Sequence, residues 1–179
     1  MTNHAPRLPL DDLSFSVLVD GPLDGPIAAF AAAAVRASAI DPVLTEVIRL
    51  RCAQYHDCRL CGSLRVQDAL DAGFDESMQR KIGAHEQSDL APEIKTALRL
   101  CDAMLMHPND ISAELRDEVR KYFNDAQIIE ICVDVMKWSQ QKALVALRVE
   151  PPVSSEHLTQ LHFDDDGNPS VGEPIAGAA

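Results

Sequence analysis

Residues 46–73 read EVIRLRCAQYHDCRLCGSLRVQDALDAG, a stretch that combines helical spacing with a Cys-X-X-Cys pair. Apolar residues recur at three- and four-residue intervals before the pair, which predicts a helix over 43–55. Asp57 is a typical N-cap residue, and Gly73 is a typical helix-ending residue. The stretch therefore predicts a second helix over 58–72 that begins at the cysteine pair.

The flanking sequence extends this helical pattern. Aromatic residues make up only 4% of the chain, whereas sheets favour aromatic and β-branched residues. Asp41-Pro42, Ser112 and Asn124 with Gln127 are typical helix starts. We predict an all-α helical bundle, with further helices over 26–40, 75–82, 92–107, 113–123 and 125–148.

Composition changes at both ends of the chain. Residues 1–25 contain prolines and glycines without a helical period, and the segment after Pro151-Pro152 is rich in Pro, Gly, Ser and Asp. We therefore predict an N-terminal arm over 1–25 and a single helical domain over 26–150. A tail over 151–179 is expected to be flexible or to pack on a neighbouring subunit.

Charge and hydropathy exclude several functional classes. The net charge is −12, and an acidic chain without a basic stripe repels the nucleic-acid backbone. The chain has no uncharged apolar run of about 18 residues, and its N-terminus lacks a signal-peptide pattern. We expect a cytoplasmic protein that binds neither nucleic acid nor a membrane. Five cysteines are an odd number, which disfavours a disulfide framework.

The dithiol is the strongest chemical signal. Cys58 and Cys61 are three residues apart, so a helix places both sulfurs on one face. At a helix N-terminus, unpaired N–H groups and the helix dipole stabilise a thiolate, although the negative charge of Asp57 opposes this. On the predicted helix Arg65 lies one turn after Cys61, where its charge favours a Cys61 thiolate.

Two further residues are candidate bases. The two helices around the short turn at 56–57 are expected to pack antiparallel, which brings Glu46 towards the dithiol. Its carboxylate could accept a proton or pair with Arg65. His56 is near the dithiol in sequence and is another candidate base.

Plainer interpretations remain open. A Cys-X-X-Cys pair can be simple apolar packing. A zinc site needs further ligands at suitable spacing, and the sequence offers only scattered candidates, so we predict no metal and no cofactor. Cys52, Cys101 and Cys132 lie in apolar helices and are expected to be inert core residues.

The segment from Glu46 to Gly73 resembles the AhpD-like alkylhydroperoxidase and carboxymuconolactone decarboxylase superfamily. It has a glutamate, eleven residues, Cys-X-X-Cys and a helix ending in glycine. Weaker likeness comes from Ala97-Leu98-Arg99 to Pro108 and from 123–130, so the resemblance covers about residues 40 to 150. The decarboxylase branch typically lacks the dithiol.

The resemblance implies an AhpD-like helical bundle and a peroxidase or disulfide reductase. Cys61 would attack the peroxide, Cys58 would resolve it by closing a Cys58–Cys61 disulfide, and Glu46 would belong to the proton relay. It also implies a homotrimer or homohexamer whose disulfide is reduced again by a dithiol partner protein.

This chain departs from the family pattern at two positions. Arg65 replaces the histidine after the dithiol, and Leu60 replaces the histidine sometimes found inside it. Arginine carries a permanent charge that can stabilise a thiolate, so attack by Cys61 is still expected. Because arginine is not a base near neutral pH, proton transfer needs another group. The alternatives are a non-catalytic or redox-sensing helical oligomer and a carboxymuconolactone-decarboxylase-like enzyme.

Overall fold

A computed structural model describes residues 24–140, 142, 145 and 152–175. Apart from its last two residues, the predicted N-terminal arm lies outside the described residues. So does most of the predicted last helix beyond 140. The domain boundaries proposed from composition stay predictions.

Helices form most of the described chain, as predicted. They are α1 (Asp24–Val35), α2 (Pro42–His56), α3 (Arg59–Gly62), α4 (Gln67–Asp71), α5 (Glu76–Ile82), α6 (Pro92–Met106), α7 (Ala113–Tyr122) and α8 (Asp125–Ser139). Three short strands accompany them: β1 (Leu64–Val66), β2 (Thr159–Phe163) and β3 (Pro169–Pro174).

Side-chain caps form the predicted helix starts at Asp41 and Asn124. The Asp41 carboxylate accepts a hydrogen bond from the Leu44 N–H at 3.0 Å, so α2 begins where the sequence predicts. At α8, Asn124 and Gln127 exchange two hydrogen bonds of 3.0 Å in a complete capping box. Each cap satisfies a backbone donor that the first helical turn leaves unpaired.

Helix α2 lies at the centre because both of its sides are apolar. Leu44, Ile48 and Cys52 pack in one buried cluster with residues of α6, α7 and α8. Val47 and Leu50 belong to a second cluster with residues of β1, α4, α5 and β2. The helix therefore separates two cores and holds the turn that carries the dithiol.

The prediction of one continuous helix over 58–72 is wrong for the middle of this segment. Helix α3 ends at Gly62, residues Leu64–Val66 form strand β1, and α4 begins only at Gln67. Strand β1 pairs in parallel with β2, with Leu64 opposite Thr159 and Val66 opposite Leu161. A strand partner about 95 residues away is invisible to local periodicity, which is why the pattern suggested one helix.

The cap of this segment also differs from the prediction. Asp57 ends α2 in the left-handed conformation, with φ of 55°, instead of beginning the next helix. The N-cap of α3 is Cys58, whose sulfur accepts the Cys61 N–H at 3.2 Å.

The expected tail contains regular structure within this chain. Strands β2 and β3 pair antiparallel, and β2 also pairs with β1 to complete a three-stranded sheet in the order β1–β2–β3. Residues 159–174 are thus a hairpin that pairs with β1 of its own chain, so the expectation of a flexible segment is wrong for them, and packing on a neighbouring subunit stays a prediction.

No helix in the part of the chain that the structure describes is long and apolar enough to cross a membrane.

Candidate functional site

The two cysteines of the dithiol lie at disulfide distance, with 5.3 Å between their Cα atoms. Cys58 is 5% exposed and packs with Ala53 and Val145. Cys61 is half-buried and lines a cavity. The pair is therefore asymmetric, because Cys58 is buried while Cys61 contributes to the wall of the cavity.

The cavity beside Cys61 has a volume of about 350 Å³. Its walls are mainly apolar and come from distant parts of the chain: Leu60, Leu64, Trp138, Leu161 and Phe163. Two cationic residues, Arg49 and Lys137, also line it. The hairpin supplies one wall, so the cavity exists only because the C-terminal strands pack on the helices.

Glu46 lies behind this cavity in a buried ion pair with Arg49. The Glu46 carboxylate accepts from Arg49 Nε at 2.6 Å and from Nη2 at 2.7 Å, and both side chains are at most 1% exposed. The carboxylate also accepts from the Val66 N–H at 3.4 Å. Glu46 is thus paired with Arg49 and not with Arg65, and its predicted role in proton transfer stays a prediction.

Arg49 connects the glutamate to the dithiol backbone. Its Nη1 donates to the Cys61 carbonyl at 2.7 Å, and its Nη2 donates to the Leu64 carbonyl at 2.6 Å. A rigid guanidinium fork suits this double role. Arg49 thereby fixes the turn in which Cys61 sits, a role that the sequence analysis missed although its spacing from Glu46 is typical of a helical ion pair.

Arg65 does not occupy the helical position predicted for it. It lies in β1, and its Nε donates to Glu76 at 2.8 Å. Its Nη1 donates to the carbonyls of Gly62 at 2.9 Å and Leu64 at 2.7 Å. Since the expected stabilisation of a Cys61 thiolate relied on a continuous helix, the geometry behind that role is absent.

His56 ends α2, one residue before the turn to the dithiol. Its Nε2 forms a hydrogen bond of 3.0 Å with the Ser139 hydroxyl on α8. Burial lowers the pKa of His56, and the charge of Lys142 adds to the effect. The ring is thus held towards α8, and its predicted role as a base stays a prediction.

Lys137 is the cavity residue least expected from the sequence. It is 6% exposed on α8, and its ammonium lies 2.9 Å from the ring centroid of Trp138 and 5.5 Å from that of Phe163. Burial, helped by the Arg49 charge, lowers its pKa to about 7 against an opposing effect of Asp134. The sequence signal that could have identified this residue is the position of a lysine within the apolar run of α8.

Asp134 lies one helical turn before Lys137 and is 2% exposed. Burial, reinforced by the charge of Glu130, raises its pKa to about 7. Among the described residues its Oδ2 has no hydrogen-bond partner, and the same is true of the buried Trp138 Nε1. Helix α8 therefore adds two buried titratable groups, of which Lys137 lines the cavity together with Cys61.

The other cysteines are separate from this site. Cys52 and Cys101 are fully buried with their sulfurs 3.8 Å apart, and Cys132 is half-buried on α8. Within the described chain no group of three or more His, Cys, Asp and Glu residues could hold a metal ion.

This arrangement of helices is an AhpD-like fold. The crystal structure of ATU0492 from Agrobacterium tumefaciens superposes with a TM-score of 0.67 at 15% sequence identity, covering 79% of this chain and 98% of that one. That protein is described as one of unknown function and as a candidate AhpD antioxidant defence protein. The family resemblance seen in the sequence is thus confirmed as a likeness of fold.

Relatives by sequence have no assigned activity. The chain is 35% identical over 144 residues to the uncharacterized protein Rv2313c of Mycobacterium tuberculosis, covering 80% of this chain and 51% of that protein. It is 27% identical over 96 residues to the uncharacterized protein YdfG of Bacillus subtilis, covering 52% of this chain and 65% of that protein. The chain thus spans about half the length of its mycobacterial relative. No family model matches the sequence.

Proposed function

We propose that the protein is a thiol-dependent peroxidase that reduces organic hydroperoxides with the Cys58–Cys61 dithiol. The observation that carries this proposal is the pair of sulfurs at disulfide distance beside a cavity that Cys61 lines. The apolar walls favour a peroxide with a hydrocarbon body, because burial of apolar surface provides binding energy that hydrogen peroxide lacks.

The exposure of the two cysteines supports a division of roles. Cys61 as a thiolate attacks the distal peroxide oxygen: the S–O bond forms, the O–O bond breaks, and the alkoxide leaves and takes a proton. The Cys58 thiol then attacks the Cys61 sulfenic acid, which forms the disulfide and releases water. A dithiol partner protein returns two electrons and two protons by disulfide exchange.

The same dithiol supports a second candidate function, reduction of a small disulfide. The cavity admits an organic disulfide as readily as a peroxide, and exchange through Cys61 would leave the same Cys58–Cys61 disulfide. Non-catalytic or redox-sensing behaviour and decarboxylase-like chemistry remain the alternatives of other classes.

A thiol count after one equivalent of tert-butyl hydroperoxide tests the proposal. We expect the native protein to lose two thiols and mass mapping to find a Cys58–Cys61 disulfide. Cys61→Ser should consume no peroxide, Cys58→Ser should stop at a sulfenic acid, and Cys132→Ser should behave as the native protein. Unchanged thiols in the native protein would refute the peroxidase and favour the scaffold alternative. A small disulfide substrate then tests the reductase.

Assembly belongs to the same proposal. We propose a homotrimer or homohexamer in the cytoplasm, as the resemblance implies. Ile129 and Met136 support it, because both are about two-thirds exposed, 63% and 59%, on one face of α8, and exposed apolar faces mark interaction surfaces. Light scattering on the purified chain measures the subunit number, and a monomer would contradict it.

A further inference from the structure

Lys137 is an unusual component of the cavity wall. Buried lysines normally pair with a carboxylate. Among the described residues no carboxylate lies within ion-pair distance of Lys137 and no acceptor takes a hydrogen bond from it; its contacts are the rings of Trp138 and Phe163. The burial of this lysine is therefore not explained by an ion pair.

Arg49, the other cation of the cavity, is already engaged. Its Nε, Nη1 and Nη2 donate to Glu46, the Cys61 carbonyl and the Leu64 carbonyl. An arginine also cannot release a proton near neutral pH. Of these two cations, only Lys137 combines access to the cavity with N–H donors that the described chain leaves uncommitted.

The charges around Lys137 tune its protonation. Arg49 faces it from α2 and, together with burial, lowers its pKa, while Asp134 on α8 opposes the shift. The resulting pKa of about 7 lets both the ammonium and the neutral amine exist near neutral pH. A group that exchanges protons readily at the working pH is an efficient general acid or base.

We propose that Lys137 is the acid–base residue of the peroxidase cycle, taking the proton of the Cys61 thiol and delivering it to the departing alkoxide. This inference rests on the proposed function. It assigns to α8 the proton transfer that the histidine replaced by Arg65 would otherwise supply.

The proton and electron balance is complete without an external acid. The neutral Lys137 amine accepts the Cys61 proton, which leaves a thiolate beside an ammonium. The thiolate attacks the distal oxygen, and the ammonium protonates the alkoxide, so one thiol and one hydroperoxide give one sulfenic acid and one alcohol. In the second step the Cys58 sulfur attacks the sulfenic acid, and the proton of the Cys58 thiol leaves with the departing hydroxide as water.

Two oxidants with different leaving groups test this role. tert-Butyl hydroperoxide expels an alkoxide that needs a proton, whereas peracetic acid expels acetate, which leaves as a stable anion. Stopped flow on the reduced protein measures the rate at which each oxidant oxidises Cys61. The rate with tert-butyl hydroperoxide divided by the rate with peracetic acid is independent of the thiolate fraction, because both oxidants react with the same thiolate. We expect Lys137→Met to lower this ratio by about 10²-fold or more.

Two further variants separate proton transfer from charge and folding. Lys137→Arg keeps the charge but not the exchangeable proton, so the ratio should fall almost as far as in Lys137→Met. Lys121→Met removes another lysine that lies over the following aromatic ring, 5.1 Å from the Tyr122 centroid, and should leave the ratio unchanged. Circular dichroism verifies the fold of each variant.

The outcomes distinguish this inference from the proposed function. A native protein whose Cys61 reacts with neither oxidant refutes the peroxidase itself. If the native protein reacts with both oxidants and either Lys137→Met or Lys137→Arg retains the native ratio, the proposed role of Lys137 is refuted. The proposed peroxidase function is then unaffected.

Discussion

At the scale of single residues, the buried Glu46–Arg49 pair determines how the dithiol is held. Two charges in a dry interior cost desolvation energy that excellent geometry must offset. Here one guanidinium makes four hydrogen bonds, two to Glu46 and two to backbone carbonyls at Cys61 and Leu64. The pair therefore acts as a positioning device for the cysteine turn, whatever part Glu46 plays in proton transfer.

Removing the Glu46 charge should destabilise the protein strongly. Glu46→Gln leaves Arg49 as a buried cation without its counter-ion, and breaking a buried pair in this way typically costs about 3–5 kcal/mol. Urea denaturation measures the change in the free energy of unfolding.

Glu93→Gln is the matched control for this prediction. Glu93 is exposed in the first turn of α6, and such surface changes stay within about 0.5 kcal/mol. A loss below about 1 kcal/mol in Glu46→Gln would show that Arg49 does not depend on Glu46.

At the scale of elements, the β2–β3 hairpin supplies the wall that completes the cavity beside Cys61. Its turn approaches α1 closely at Gly167, which has φ of 82°. A Cβ at this position would collide with the backbone carbonyl of Ala32. Glycine is therefore required both by the left-handed conformation and by the contact with α1.

Gly167→Ala should loosen the hairpin and destabilise the fold by about 1–3 kcal/mol, because strain and a backbone clash add. Trp138 is the only tryptophan of the chain, and its ring centroid lies 6.4 Å from that of Phe163 on β2. Denaturation followed by Trp138 fluorescence therefore reports on hairpin docking.

Gly25→Ala provides the comparison, since nothing lies within 4 Å of the position that its Cβ would take. This helical glycine should tolerate alanine or gain slightly from it. If Gly167→Ala and Gly25→Ala have the same free energy of unfolding, the hairpin turn accommodates the alanine side chain without loss of stability.

At the scale of the whole molecule, buried ionisable groups link global stability to pH. The pKa of Asp134 rises to about 7 in the folded protein, above its ordinary value of about 3.9 in an unfolded chain. The folded state binds more protons between these values, so this group makes stability fall as pH rises from about 4 to about 7. Above pH ~7 the full cost of the buried carboxylate is present.

Asp134→Asn should remove that pH dependence. We expect the variant to be more stable than the native protein at pH 8, by on the order of 1–3 kcal/mol. Its advantage should shrink as pH falls and vanish near pH ~4. Denaturant midpoints across this range, with the exposed Asp125→Asn as the control, measure the difference. A constant offset at every pH would exclude ionisation of Asp134 as the cause.

The sequence alone determined the features that depend on neighbours along the chain. Helix periodicity, the Asp41, Ser112 and Asn124 caps, and the Cys58–Cys61 spacing are local, so the helical class and the dithiol were predictable. The family likeness of residues 46–73 also predicted the AhpD-like fold.

Only the tertiary structure decided which distant groups meet. Strand β1 forms because β2 pairs with it from about 95 residues away, and this pairing moves Arg65 out of the helix on which its predicted role depended. Lys137 reaches the Cys61 cavity because α8 packs on α2 and the hairpin supplies a further wall. Long-range burial and strand pairing leave no local period in a sequence, and for that reason Arg49 and Lys137 were recognised only in the folded chain.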